Sequence, residues 1–445
     1  MATGGLRKLG CLSTALLATL WHPASSVQAQ TFRSVIVFGD SLSDSGNTAD
    51  LQTLQAPPHL HYPEGTNFST NPDWVWTQYV EQFYGGPGEH RPLGRGGTNY
   101  AMGGGCISTE PGSTQGCNEQ VAVRSQIMRH LAENGQADPD SLYVIWGGSN
   151  DLNLVGPRGS LTAVGQALDL GSPSAVRDSV HMLSNHFSNL SRISKTAALD
   201  YLEQIKFLQN QGAKAIVVLN MPPVGLAPGV REISDVLSNP PTSLETLISR
   251  LISDDSNLGR VSDFINENAV NEFNQILVDG LEKLDHGVIA IDVYDLFQDI
   301  ANDPESYGFK NITQAACHQT PIFHSGFSEL PFLNDACGPA QHEYGYPYAY
   351  EQGANATYLF ADNVHPGGAS HRILADLVIA TISTSAQMSW AQVDQPPCFI
   401  RTPQQDVSAS EIVVVASSGS VPSGRAHREK IALNPPLFDQ RRKEL

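Results

Sequence analysis

Four short apolar runs rich in β-branched residues lie at Val35–Phe38, Leu142–Trp146, Ala215–Leu219 and Val288–Val293. Each run is continuous rather than alternating, which is typical of strands buried on both faces of a parallel sheet. The segments between them carry apolar residues at helical spacing. The predicted helices are Trp74–Phe83, Val121–Glu133, Ala197–Gln211 before Gly212, Val261–Leu284 and Ser370–Ile382. The alternation predicts an α/β sandwich whose functional groups gather at the carboxyl edge of the sheet.

Three regions depart from this alternation. Residues 226–257 and 307–350 are rich in Pro, Gly, Ser and aromatic residues, and we expect both to be loop insertions over the active edge. The tyrosines in the second could line an apolar cleft or belong to an ordinary long loop: Tyr344, Tyr346, Tyr348 and Tyr350. Residues 386–445 are predicted to be a flexible, low-complexity tail.

Residues 1–29 have the pattern of a secretory signal peptide. Arg7 and Lys8 precede the short apolar run Leu9–Trp21, and Val27–Ala29 resembles a cleavage site. A membrane anchor would need about 20 apolar residues, so it is the weaker interpretation. We therefore expect an exported protein, whether extracellular, periplasmic or at the cell surface.

The composition limits the kinds of molecule that the protein is expected to bind. The chain has 445 residues, of which 40% are hydrophobic, so it can bury a large core. The formal net charge of −19 repels phosphate backbones, so nucleic acid is not expected as a partner. The same charge would also simply keep an exported protein soluble.

Five cysteines follow the predicted signal peptide. In an oxidising compartment, Cys106 with Cys117 and Cys317 with Cys337 are candidates for local disulfides. Metal ligation is the alternative, but the sequence contains no C-x-x-C pair. Cys398 is left over and would be free or intermolecular.

The polar residues after the apolar runs suggest acyl-transfer chemistry, which needs a nucleophile, an oriented base and oxyanion donors. Ser41 directly follows the first predicted strand and is a candidate nucleophile, although a serine after Gly-Asp is also common in turns. Asp362 and His365 are three residues apart, so the carboxylate could orient the imidazole; a helix-capping Asp beside a surface His is the alternative.

Two further residues are candidate oxyanion donors. Asn150 follows the second predicted strand, where its amide could bind an oxyanion or satisfy its own turn. Gly104 lies in a glycine run whose backbone could approach a substrate closely. This run is not a phosphate-binding P-loop, because no Lys-Ser/Thr pair follows it.

The chain resembles the GDSL or SGNH hydrolases, since four separated blocks occur in the family's order. These blocks are Gly39–Leu42, Asn99–Gly105, Gly148–Asp151 and Asp362–His365, within a resemblance that spans about Phe32 to Ile382. The resemblance implies a three-layer α/β/α sandwich, flavodoxin-like, with a five-stranded parallel sheet in a domain over residues 30–385. A G-x-S-x-G elbow is not encoded here, which separates the chain from the α/β-hydrolase fold.

By the same resemblance, Ser41 is the nucleophile, His365 the base and Asp362 its orienting residue. Gly104 (with Gly103 as the other choice) and Asn150 would form the oxyanion hole with the Ser41 N–H. The implied protein is a secreted lipase or esterase that uses an acyl-enzyme and needs no metal or organic cofactor. Its substrate would be a small-molecule or lipid ester. The sequence also allows three alternative functions: a phospholipase, a lipid acyltransferase and a non-catalytic surface-binding protein. It allows transient contact with a lipid surface as well.

Overall fold

The computed structural model describes residues 32–55, 63–107, 120–154, 159–240, 242–284, 287–317, 336–339 and 348–387. The predicted signal peptide, most of the second insertion and nearly all of the predicted tail lie outside the described residues.

A parallel sheet of four strands forms the centre of the molecule. The strands are β1 (Val35–Gly39), β2 (Leu142–Trp146), β3 (Ala215–Leu219) and β4 (Val288–Ile291), adjacent in that order. Every residue of all four strands is buried, which explains why the sequence shows continuous apolar runs. The strand predictions are confirmed, except that β1 ends one residue later and β4 two residues earlier than expected.

The fifth position of the predicted sheet is occupied by an extended segment beside β1. Val37 donates to the carbonyl of Thr98 and accepts from Tyr100, and Met102 donates to Gly39. A single parallel bridge joins Val37 and Asn99, so this segment follows the edge of β1 without forming a full strand.

The helices of the described residues range from a single turn of 4 residues to one helix of 38 residues. They are α1 (Asn47–Gln55), α2 (Trp76–Tyr84), α3 (Val123–Asn134), α4 (Ser160–Asp169), α5 (Pro173–Asn210), α6 (Pro228–Ser238), α7 (Glu245–Asp254), α8 (Val261–Ile265), α9 (Asn271–Leu281), α10 (Val293–Asn302), α11 (Ala354–Thr357) and α12 (Gly368–Gln387). A π-helical turn, Asn266–Val270, joins α8 to α9 and makes them one continuous helical segment. Helices α4, α5 and α9 pack together, and α2 packs on α12, as expected for layers on the two faces of the sheet. The predicted α/β class with a parallel sheet is confirmed.

Helices α4 and α10 were not predicted, and two further regions differ from their predicted structure. Helix α5 begins at Pro173, far before the expected start at Ala197, because its first half buries a narrow stripe among many exposed polar residues. Residues 226–257, expected to be a loop, form α6 and α7; both helices bury aliphatic side chains on one face, which outweighs the local Pro and Ser content.

The second insertion adds small two-stranded pairings beside the main sheet. Strand β5 (Asn311–Ala315) pairs with β8 (Tyr358–Phe360), and β6 (Cys337–Pro339) pairs with β7 (Tyr348–Tyr350). The disulfide predicted between Cys317 and Cys337 is confirmed. Cys106 is also disulfide-bonded, and its predicted partner Cys117 lies outside the described residues, as does Cys398. Among the described helices, none has a long enough apolar stretch to cross a bilayer.

Candidate active site

The carboxyl edge of the sheet brings together polar residues from distant parts of the chain. Gly39 and Trp146 are register partners at the ends of β1 and β2, so the loops that follow them start side by side. Ser41 lies in the first loop, and Asn150 begins a 3₁₀ turn in the second. This is the edge at which functional groups of parallel sheets are expected.

Ser41, His365 and Asp362 form one chain of hydrogen bonds. The Ser41 hydroxyl oxygen lies 2.9 Å from His365 Nε2, although 324 residues separate the two. On the other side of the ring, His365 Nδ1 lies 2.7 Å from Asp362 Oδ2. Because the carboxylate accepts, Nδ1 carries the proton and Nε2 can accept from the hydroxyl.

The turn between Asp362 and His365 is held by the carboxylate itself. Asp362 Oδ1 accepts from the backbone N–H groups of Val364 at 2.7 Å and His365 at 2.6 Å. The Ala361 N–H donates to the carbonyl of His365 at 2.8 Å and closes the turn between β8 and α12. Helix α12 begins three residues after His365, so the ring is anchored between a strand and a helix.

Electrostatics favour an ionised Asp362. Burial acts to raise the pKa of the carboxyl, but positive charge on His365 and the hydrogen bonds from His365 and Val364 outweigh it and leave the pKa lowered. An ionised carboxylate in this position stabilises positive charge on the imidazole.

The glycine run beside Ser41 distinguishes Gly103 from Gly104. The Gly103 N–H donates to Thr48 Oγ1 at 2.8 Å and to Asp44 Oδ2 at 3.1 Å. Within the described part of the chain, the N–H groups of Gly104 and Ser41 have no acceptor. Gly104 has a φ of +76°, a backbone conformation that glycine adopts at no steric cost.

Asn150 contacts both neighbouring loops through its side-chain amide. Nδ2 donates to Asp40 Oδ2 at 3.2 Å and to the Gly105 carbonyl at 3.1 Å. The other carboxylate oxygen of Asp40 accepts from the Leu42 N–H at 3.0 Å and so curves the chain around Ser41. Burial raises the pKa of Asp40 to about 7, against the lowering effect of these hydrogen bonds and of charge on His365.

Sequence reasoning missed the residues that hold these loops. The buried Asp44 accepts from the N–H groups of Gly46 and Asn47 through Oδ1, and from Thr48 and Gly103 through Oδ2. Asp40 and Asp44 both lie in the polar run after β1, and an aspartate on each side of a candidate nucleophile is the signal that could have identified them.

An amide pair joins the loop after the first sequence block to the second block. Asn47 Nδ2 donates to the carbonyls of Asn99 and Ala101 at 2.8 and 2.9 Å. In return, Asn99 Nδ2 donates to the Ser43 carbonyl at 2.8 Å. The glycine run is therefore fixed against the loop that carries Ser41.

Comparison with known proteins gives one consistent family. The family model described as GDSL-like Lipase/Acylhydrolase matches residues 35–378. Lipase 1 of Photorhabdus luminescens is 23% identical over 394 residues, covering 80% of this chain and 51% of that protein, so the chain spans about half of that relative's length. A GDSL esterase/lipase of Arabidopsis thaliana is 27% identical over 386 residues, with 80% of this chain and 89% of the relative covered.

A third relative is the thermolabile hemolysin of Vibrio parahaemolyticus, 21% identical over 83% of this chain and 68% of its own length. The family description and the names of the first two relatives denote enzymes that cleave carboxylic esters, which confirms the predicted enzyme class. Because the family match runs from β1 into the last helix, the chain belongs to the GDSL-like lipase/acylhydrolase family.

Proposed function

We propose that this chain is an exported serine hydrolase that cleaves carboxylic esters through an acyl-enzyme, with residues 30–385 as its catalytic domain. The observation that carries the proposal is the hydrogen-bonded chain from the Ser41 hydroxyl through His365 to Asp362. A hydroxyl, an imidazole and a carboxylate in this order are the groups that acyl transfer needs.

In the first half-reaction, Ser41 Oγ bonds to the ester carbonyl carbon while its proton passes to His365 Nε2. Asp362 stabilises the imidazolium that forms, since it holds the Nδ1 proton. The tetrahedral intermediate then collapses, the bond to the alcohol oxygen breaks, and the alcohol leaves with the proton from Nε2. Water repeats the sequence on the acyl-enzyme and releases the carboxylic acid and free Ser41.

The oxyanion of each intermediate needs preorganised donors. The N–H groups of Ser41 and Gly104, which have no acceptor among the described residues, are proposed for this role together with the Asn150 amide. Asn150 Nδ2 also donates to Asp40 and Gly105, so one of its hydrogens must be shared with the oxyanion. Gly104 is preferred to Gly103 because the Gly103 N–H already binds Thr48 and Asp44.

Export is supported by two independent features of the chain. The first 29 residues have the pattern of a signal peptide. The disulfide between Cys317 and Cys337 is of a kind that persists mainly in oxidising compartments. A small-molecule or lipid ester is the proposed substrate.

The test is a serine replacement with a matched control. Ser41→Ala should reduce turnover of a p-nitrophenyl ester by at least about 10³-fold and abolish labelling by a fluorophosphonate. Ser45→Ala is the control, because Ser45 lies in the same loop, is buried, and its hydroxyl has no partner among the described residues. We expect this control to keep its turnover and labelling.

Circular dichroism spectra should be the same for the two variants and the parent protein. Labelling or turnover that survives in Ser41→Ala would refute the assignment. A parent protein that is folded but unlabelled would instead favour a non-catalytic binding protein on this fold.

A further inference from the structure

The aromatic ring of Phe68 lies beside the His365 ring, tilted against it. The two ring centroids are 4.9 Å apart, and the ring planes meet at 40°. Both nitrogens of His365 already have partners, Asp362 and Ser41, so Phe68 adds an apolar contact to the imidazole without competing for a hydrogen bond. Phe68 is itself half-buried.

The tip of the Phe68 ring lies against the glycine run. A methyl group added at Gly103 would come within 2.6 Å of Phe68 Cζ and 2.8 Å of Cε2. The ring therefore fills the space between His365 and the segment that contains Gly104. The ring therefore touches both the proposed base and the glycine run that contains the proposed oxyanion donor. It supplies a polar group to neither.

The loop that carries Phe68 is held by buried side chains. Asn67 donates through Nδ2 to the Asp73 carbonyl at 3.0 Å, and its N–H donates to Asn71 Oδ1 at 2.9 Å. Asn71 in turn donates through Nδ2 to the carbonyl of Cys337 at 3.0 Å, which ties the loop to the disulfide.

A second connection links this loop to the helix that follows His365. Thr70 Oγ1 accepts from the Gly368 N–H at 2.8 Å, at the start of α12. The Phe68 ring and the His365 ring are therefore attached to elements that are hydrogen-bonded to each other, which holds the two residues close together.

From this arrangement we propose that Phe68 is a positioning residue for His365, restricting the imidazole to the orientation that faces Ser41 and stabilising its protonated form through the ring face. This inference rests on the proposed function. In the reaction His365 becomes an imidazolium when it takes the Ser41 proton. A cation within about 6 Å of an aromatic centroid is attracted by the ring quadrupole, and the observed separation lies within that range.

Three titratable groups also influence the His365 charge. Asp362 shares a hydrogen bond with the ring, and Asp40 and His371 interact with it electrostatically. Burial lowers the pKa of His371 to about 3, so this second imidazole is neutral in the working range. Replacing the Phe68 side chain removes none of these three groups and leaves in place the Phe68 backbone, which hydrogen-bonds His371 and raises its pKa.

The experiment compares Phe68→Leu with the parent protein in p-nitrophenyl ester hydrolysis across pH. Leucine keeps the apolar character but has no π face. We expect the midpoint of the acid limb to fall by about half a pH unit, because losing a cation–π contact makes the imidazolium easier to deprotonate. We expect kcat to fall about threefold to tenfold with KM changed less than twofold, since the lost interaction acts in the transition state.

Phe83→Leu is the matched control. Phe83 is also half-buried, and its ring contacts Tyr84 instead of a site residue, so its pH profile should equal that of the parent. If Phe68→Leu changes only KM, the Phe68 ring contacts the substrate and does not position His365, which would overturn the proposal. An unchanged profile would overturn it as well.

A measurement that does not depend on turnover tests the role of Phe68 separately from the proposed function. The His365 pKa can be followed by NMR in Ser41→Ala with and without Phe68→Leu, and we expect the double variant to titrate about half a unit lower. If Phe68→Leu does not fold, 3,4,5-trifluorophenylalanine at position 68 keeps the shape while weakening the quadrupole, and should lower the pKa in the same direction. An equal pKa would refute the role of Phe68, whereas Ser41-independent turnover would refute the proposed function.

Discussion

The buried carboxyl of Asp40 is expected to lower the free energy of unfolding of the protein as the pH rises. The carboxyl is buried between the Leu42 N–H and the Asn150 amide, and burial raises its pKa from 3.8 to about 7. The unfolded chain exposes the same carboxyl to water at its ordinary pKa. Asp40→Asn removes the ionisation while keeping the size of the side chain.

The direction of the effect follows from the raised pKa. The folded protein holds the Asp40 proton more tightly than the unfolded chain, so this contribution to stability is fully present below about pH 4 and is lost as the pH rises through about 7. A rise of about three pKa units corresponds to about 4 kcal/mol. Relative to the parent protein, Asp40→Asn should therefore gain free energy of unfolding of that order between about pH 4 and pH 8.

The assay is urea unfolding of both proteins at a series of pH values, with the difference in unfolding free energy as the readout. Titrating groups distant from Asp40 cancel in this difference, whereas His365, whose charge interacts with Asp40, contributes to it. A difference that stays flat between about pH 4 and pH 8 for Asp40→Asn would refute the buried carboxyl with a raised pKa.

Two further predictions concern the oxyanion and the disulfide. Asn150→Ala should lower kcat about 10²- to 10³-fold with little change in KM, as expected on losing one oxyanion donor; steady-state kinetics check this, and a loss below about tenfold would contradict the assigned role. Replacing Cys317 and Cys337 together by Ala should lower the free energy of unfolding by about 3 kcal/mol, because the bond closes a loop of 20 residues. Dithiothreitol should bring the parent protein and the double variant to the same urea midpoint, since it also reduces the disulfide of Cys106 in both; a parent protein that stays more stable than the double variant in reductant would contradict this.

The local sequence was sufficient to predict the strands of the main sheet and to place the polar blocks just after the strand ends. Strands β2 and β3 match their apolar runs residue for residue, since a strand buried on both faces leaves a continuous apolar signature. The Asp362–His365 spacing also predicted a local contact, and the hydrogen bond of 2.7 Å between them lies within a single turn.

Helix α5 shows where local pattern fails. Its apolar stripe is interrupted by many polar residues, and packing of its first half, such as the stacking of Phe187 on Phe264 of α8, stabilises it despite that composition. The same holds for α6 and α7, where packing of one face decides the structure over local turn residues.

The contacts that define the site depended on tertiary structure. Residue types and spacing cannot state that Ser41 lies 2.9 Å from His365, that Phe68 packs on that ring, or that Asp40 is buried against Asn150. Hydrophobic periodicity reports only which side of its own segment a residue faces. Distances between segments, and the desolvation that raises the pKa of Asp40, arise only when parallel strands align their ends and the loops pack together.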